Sequence, residues 1–175
     1  MLTKPVQDAI NAQINSELLA SYSYLSMSAW CQRANFTGAA SWMRLQSQEE
    51  YGHAMRLFDF VLAKDAQPEL SAIKGPRGEF KSLLDVFETA YKQEQGVTKQ
   101  INTLYELAFK QRAFDTAVQM QWFVNEQVEE EKSMREIVGK LRMVGDDVPS
   151  LLEIDRELGS RTPGADPGAA AEGGA

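Results

Sequence analysis

Apolar residues recur at alternating steps of three and four residues through most of this chain, a spacing that places them on one face of an α-helix. Glycine and proline are scarce until the C-terminal end, so the few interruptions are clear. The pattern predicts four long helices, near residues 4–34, 38–66, 83–111 and 116–144, and a short fifth helix over 150–158. The chain is therefore predicted to be all-α.

Helix starts are predicted from capping residues. Thr3, Thr37 and Ser82 are the predicted N-caps of the first three long helices, because their hydroxyl oxygens can accept a hydrogen bond from the first turn. Ser150 and Glu153 have the spacing of a capping box, which predicts that the fifth helix begins there.

The connection between the second and third helices decides the topology. A helix of about 29 residues is roughly 43 Å long, and about 15 extended residues reach up to roughly 50 Å. Residues 67–81, with two prolines, can therefore run back along the whole bundle. Short turns make the helices antiparallel within each pair. The prediction is an up-down-down-up four-helix bundle with one long crossover and a short fifth helix.

Polar residues interrupt the apolar faces of all four long helices at about the same height. Glu17, Glu50, Glu94 and Gln127 each lie near the midpoint of their own helix, and a midpoint stays at mid-height whichever way the helix runs. Glu130 and His53 lie one turn further along two of these faces. Four carboxylates, one imidazole and one amide are therefore expected to meet at the centre of the bundle.

Composition narrows the possible functions. The net charge of −7 disfavours binding to nucleic acid or to an anionic membrane, and it favours binding to metal cations. No run approaches the ~18 apolar residues that a membrane span needs, and no signal-peptide pattern is present. The single cysteine, Cys31, excludes an internal disulfide or a Cys-rich metal site and suits a cytoplasmic location. With one histidine and no G-x-S-x-G motif, a hydrolase triad is not expected.

Buried carboxylates without cations are very costly, and the inner helix faces offer no lysine or arginine at this level. A pair of divalent cations would resolve this conflict. Oxygen ligands with one imidazole suit iron or manganese better than a metal that prefers thiolates. Glu50 and His53, three residues apart on one helix face, can then point at the same ion.

Four segments carry a resemblance to a known family: MSAWC (27–31), QEEYGHAMRLFDF (48–60), YKQEQ (91–95) and QWFVNEQVEEEK (121–132). Through them the chain resembles the bacterial non-haem ferritins over about residues 1–160, which belong to the ferritin-like di-iron carboxylate bundles. The resemblance implies an iron-storage protein with ferroxidase activity, which oxidises Fe(II) with dioxygen or peroxide. It also implies a homo-oligomeric cage of about 24 subunits that encloses the ferric mineral.

The resemblance also implies roles for individual residues. The first iron would be held by Glu17, Glu50 and His53. Glu50 would bridge to a second iron, whose other neighbours would be Glu94, Glu130 and Gln127. A third iron site would use Glu49, Glu126, Glu129 and Glu130. Tyr24 would lie beside the centre as a possible electron donor, and Gly52 stands where a bacterioferritin has its haem-binding methionine, so no haem is expected.

Two other classes of protein remain compatible with these residues. One is a di-metal oxidase or peroxidase on the same bundle, which would be small and would retain a fixed metal pair. The other is a helical scaffold without activity, whose central glutamates would tolerate replacement by leucine. Residues 161–175 are rich in glycine, alanine and proline, and they are predicted to form a disordered tail outside the domain of residues 1–160.

Overall fold

Five α-helices and no strand are found in the computed structural model, which describes residues 2–162. The helices are α1 (Lys4–Arg33), α2 (Thr37–Ala63), α3 (Leu83–Lys110), α4 (Phe114–Val144) and α5 (Val148–Gly159). The all-α prediction is confirmed. Of the predicted tail, only Arg161 and Thr162 fall within the described residues, and the rest lies outside them.

The crossover between α2 and α3 follows α1 along its length. Near the start of α1, Asn11 Oδ1 accepts a hydrogen bond from the Glu69 backbone N–H at 3.2 Å. Further along, Ser26 Oγ donates to the Arg77 backbone oxygen at 2.8 Å. The connection thus returns to the end of the bundle where α2 began, and α3 runs parallel to α2. The predicted up-down-down-up arrangement is confirmed.

The predicted N-caps have mixed outcomes. Ser82 does cap α3, because its hydroxyl oxygen accepts from the Asp85 backbone N–H at 3.1 Å. Thr3 occupies the N-cap position of α1 but makes no capping hydrogen bond with its side chain. The Thr37 prediction is wrong: Thr37 is the first residue inside α2, and Phe36 stands at the N-cap position.

The physical reason for the Thr37 error lies at the other end of the chain. Asp155 of α5 accepts hydrogen bonds from the backbone N–H groups of Gly38 and Ala39, at 3.1 and 2.8 Å. These are unpaired amides of the first turn of α2, which a local side chain usually satisfies. The Asp155 carboxylate, which is distant in sequence, therefore caps α2 in place of a local N-cap residue.

The predicted start of α5 is also wrong. α5 begins at Val148, and Asp147 caps it by accepting from the Ser150 backbone N–H at 3.0 Å. Ser150 lies inside the helix, so it does not form the predicted capping box with Glu153. Pro149 explains the earlier start. Backbone N–H groups in the first turn of a helix have no partner within the helix, so proline, which lacks an N–H, fits there.

The buried core consists of two apolar clusters with a polar layer between them. One cluster, at the C-terminal end of α1, includes Met43, Phe87 and Leu158 of α5. The other, at the N-terminal end of α1, includes Ile14 and Phe123. Each cluster stabilises the bundle by removing apolar surface from water. Within residues 2–162, no helix combines the length and the apolar character needed to cross a membrane.

Candidate metal centre

The polar layer contains the four glutamates that the helix pattern predicted at the centre of the bundle. Each long helix contributes one of them, and each is at most 1% exposed: Glu17, Glu50, Glu94 and Glu130. His53 and Gln127 are also buried. All six of these side chains therefore lie in the interior of the bundle.

Glu17, Glu50 and His53 form one group that could hold a metal ion. One ligand atom from each residue lies within 4.8 Å of the others. His53 Nδ1 is 3.4 Å from Glu50 Oε2, which reflects their separation by one helical turn on α2. Glu17 Oε2 has no hydrogen-bond partner among the described residues, so this oxygen can serve as a ligand.

A second group of possible ligands is formed by His53, Glu126 and Glu130, again within 4.8 Å of one another. His53 belongs to both groups, so the two possible ion positions are adjacent. Glu130 Oε1 has no hydrogen-bond partner among the described residues. The imidazole also packs edge-on against Trp122, with ring centroids 5.4 Å apart, and this contact restricts its orientation.

Glu94 belongs to neither group and is held by hydrogen bonds instead. The Tyr24 hydroxyl donates a hydrogen bond to Glu94 Oε1. Gln127 Nε2 lies 3.3 Å from Glu94 Oε2 and 3.2 Å from the Glu94 backbone oxygen. Tyr24 therefore does lie beside the centre, as the resemblance implied, and it contacts the centre through Glu94.

Two amides support the carboxylates, although no role was predicted for either. Gln13 Nε2 donates to Glu17 Oε1 at 2.8 Å. Gln46 Nε2 donates to Glu130 Oε2 at 2.7 Å and lies 3.4 Å from Glu50 Oε1. Gln46 thus joins the two groups of ligands. The available signal was its place on the apolar face of α2, one turn before Glu50.

The four glutamates expected at the third iron site are not gathered in one place. Only Glu126 and Glu130 share a group of possible ligands. Glu129 Oε2 is 3.8 Å from Lys132 Nζ, and its side chain is 40% exposed. Glu49 Oε2 is 2.5 Å from Arg161 Nη2. A basic side chain therefore does reach this level, from beyond α5 rather than from the inner face of a long helix.

Burial raises the pKa of the Glu17, Glu50 and Glu130 carboxyls well above the usual glutamate value, and neighbouring carboxylates raise it further. Burial also raises the pKa of Glu94. The pKa of Tyr24 is raised well above its usual value, first by burial and then by the charge of Glu94. In the absence of a cation these carboxyls favour the protonated form, whereas a bound divalent cation favours the ionised form.

Comparisons with known proteins agree on one family. The family model of the ferritin-like domain matches residues 7–144. The bacterial non-haem ferritin of Campylobacter jejuni is 42% identical over 158 residues, which cover 90% of this chain and 95% of that protein. The bacterial non-haem ferritin of Escherichia coli O157:H7 is 39% identical over 158 residues, which cover 90% of this chain and 96% of that protein.

Among solved structures, an open-pore ferritin from the archaeon Archaeoglobus fulgidus superposes with a TM-score of 0.91 at 42% identity. The match covers 93% of this chain and all of that one. Fold, buried carboxylate–histidine groups and sequence similarity point the same way: the chain belongs to the ferritin family and is similar to bacterial non-haem ferritins along nine-tenths of its length.

Proposed function

We propose that this protein stores iron and has ferroxidase activity at the centre of the bundle. The observation that carries the proposal is that Glu17, Glu50 and His53 form one buried ligand group, with Glu130 in a neighbouring group beside it. Two Fe(II) ions held side by side can each lose one electron, so dioxygen or hydrogen peroxide receives two electrons in one site. Fe(III) then leaves and is deposited as mineral inside a cage.

The proposed roles of the residues follow the resemblance. Glu17, Glu50 and His53 hold the first Fe(II), and Glu50 bridges to the second. Glu94, Glu130 and Gln127 surround the second Fe(II), and Tyr24 orients Glu94 and can donate an electron. The second position lacks an imidazole of its own, so iron there is held more loosely and can move on. A third Fe(II) would use Glu49, Glu126, Glu129 and Glu130. No haem takes part.

The proposed cage is a homo-oligomer of about 24 chains in the cytoplasm. Exposed apolar side chains on the surface support self-association: Tyr22 and Leu25 of α1 are 49% and 46% exposed. Leu70 of the adjacent crossover is 61% exposed. Exposed apolar side chains on neighbouring segments are typical of a protein–protein interface. The acidic net charge of −7 would attract Fe(II).

Aerobic addition of Fe(II) to the metal-free protein tests the storage proposal. Iron and protein are followed together by size-exclusion chromatography. Co-elution of iron with a very large particle, far beyond the few ions that the central ligands can hold, is the expected result. A small particle that keeps only a fixed metal pair would instead indicate a di-metal oxidase or peroxidase.

His53→Ala tests the ferroxidase proposal. Because the imidazole is shared by both ligand groups, we expect initial Fe(II) oxidation to slow by about tenfold or more, while the particle size stays the same. The control is Tyr51→Phe, an exposed position on the same helix, which should oxidise Fe(II) like the unaltered protein. Unchanged initial oxidation in His53→Ala would contradict the assigned centre.

A further inference from the structure

α5 is fixed on the start of α2 by contacts that leave little freedom. Asp155 accepts hydrogen bonds from the Gly38 and Ala39 backbone N–H groups, at 3.1 and 2.8 Å. The backbones are also close together, because a Cβ added to Gly38 would lie 1.7 Å from the Asp155 backbone oxygen. α5 ends at Gly159, so the position of Arg161 is set two residues beyond a firmly held helix.

Arg161 turns inward from this point and is almost fully buried. Its side chain is 7% exposed, and its guanidinium carbon lies 4.7 Å from the centre of the Trp42 ring. Nη1 donates to Gln46 Oε1 at 2.9 Å, and Nη2 donates to Glu49 Oε2 at 2.5 Å. The planar guanidinium thus holds two neighbours of the metal centre at once while stacking on an aromatic ring.

Both contacts lead to groups that are close to the proposed ions. When the Gln46 carbonyl accepts from Arg161, the amide N–H₂ must face the other way, toward Glu130 Oε2 at 2.7 Å. Glu49, like Glu129, is a member of the proposed third iron site that does not join Glu126 and Glu130. Its carboxylate oxygen is held by a cation of the protein itself.

We propose that Arg161 is a positioning residue that holds Glu49 away from the third iron site and so weakens the binding of a third Fe(II). This inference rests on the proposed function. A third ion that uses Glu49 must first open the ion pair with Arg161. It must also approach a buried guanidinium, and two cations repel each other strongly where water is largely excluded. The first two ions use carboxylates that Arg161 does not contact.

The test is an anaerobic calorimetric titration of the metal-free full-length protein with Fe(II), so that binding is measured without oxidation. Loss of one charge-assisted hydrogen bond typically changes affinity by about tenfold or more. We expect Arg161→Gln to tighten the third Fe(II) by that factor and to leave the first two unchanged. Arg161→Lys keeps the charge but cannot hold two acceptors in one plane. Its affinity for the third Fe(II) should therefore lie between that of the unaltered protein and that of Arg161→Gln.

Two further variants separate this role from a merely structural one. Arg156→Gln removes an exposed arginine of α5 that pairs with Glu153, and it should bind Fe(II) like the unaltered protein. Glu49→Gln should weaken the binding of the third ion. Adding Arg161→Gln to it should then have a much smaller effect than Arg161→Gln has alone, because the ion pair is already lost and only the repulsion between cations is removed.

The outcomes are distinct. A third Fe(II) that binds Arg161→Gln no more tightly than the unaltered protein, or additive effects in the double variant, would overturn the role of Arg161. If Arg161→Gln does not assemble, equal third-ion binding by Arg161→Lys and the unaltered protein would overturn it. Failure of the proposed function would look different, because the unaltered protein would then bind no pair of Fe(II) at all.

Discussion

Glu17 illustrates how the central site lowers the stability of the metal-free protein. Its side chain is buried, and within residues 2–162 only one of its two oxygens has a hydrogen-bond partner, Gln13 Nε2. Burial and the nearby Glu50 carboxylate raise its pKa well above the usual value. A group whose pKa is raised on folding stabilises the fold at low pH, and this contribution is lost as the pH rises through the raised pKa.

Glu17→Gln should therefore stabilise the metal-free protein in a pH-dependent way. Glutamine resembles the protonated acid and cannot ionise, so the loss of folding stability at high pH disappears. We expect the free energy of unfolding to increase by about 1 kcal/mol or more at pH 8, and by much less at pH 5, measured by urea unfolding with a chelator present. Asp59→Asn, an exposed position on α2, is the control and should show no such difference. An equal effect of Glu17→Gln at both pH values would show that ionisation of Glu17 is not the cause.

The central residues could be predicted because their chemistry conflicts with their position. A glutamate such as Glu94 on an otherwise apolar helix face needs a partner, and equal height in four helices brings the partners together. The supporting contacts were less predictable. Glutamine occurs in many environments, so no role could be predicted for Gln46 from the sequence. The Glu49–Arg161 ion pair could not be predicted either, because it joins residues 112 positions apart.

Among the helices, α5 depends most on a single close contact. Gly38 lies where any Cβ would overlap the Asp155 backbone oxygen, whereas a Cβ on Gly52, also in α2, would meet nothing within 4 Å. The backbone of α5 cannot relax as a flexible side chain could. Gly38 is therefore required by packing, and Gly52 is not.

The matched pair Gly38→Ala and Gly52→Ala tests this contact. Gly38→Ala should destabilise the protein by about 2 kcal/mol or more, since α5 must move away and Asp155 loses the amides of α2. Gly52→Ala should be neutral or stabilising by up to about 1 kcal/mol, because alanine favours a helix interior. Urea unfolding of both variants measures the difference. Equal stability of the two would show that α5 is not held at Gly38.

Helix existence was predictable from periodicity, but helix starts were predictable only where the cap is local. Ser82 caps α3 as its position indicates, since its partner is three residues away. The start of α2 depends on Asp155, more than a hundred residues distant. The residues around the start of α2 do not indicate such a contact. The same limit explains why a basic side chain near the central layer was not expected from helix faces alone.

At the scale of the whole molecule, the length of one connection determines the topology. The crossover leaves α2 near the start of α1 and reaches α3 near its end, fixed by hydrogen bonds such as that between Asn11 and Glu69. Its length was readable from the sequence, and so was the parallel course of α2 and α3. The result is a bundle whose polar layer lies between two apolar clusters, so metal binding and folding stability are coupled in one core.

This coupling should largely remove the pH dependence of stability when Fe(II) is bound. Without metal, the raised pKa values of Glu17, Glu50, Glu94 and Glu130 mean that stability falls as the pH rises from about 5 to 8. Asp85 and Asp115, whose pKa values are lowered by Arg77 and Lys64, stabilise the fold above the usual aspartate pKa. Their contribution is lost only as the pH falls through the lowered values, below this window.

Bound Fe(II) requires the ionised carboxylates, so its affinity rises with pH over the same range. This gain offsets the stability that the metal-free protein loses as the pH rises, so the stability of the loaded protein changes little. Thermal unfolding under anaerobic conditions should therefore give a midpoint that falls between pH 5.5 and 7.5 with chelator and changes much less with excess Fe(II). Binding should also release protons into a weakly buffered solution. Parallel pH profiles with and without Fe(II), or binding without proton release, would mean that the buried glutamates are not the ligands.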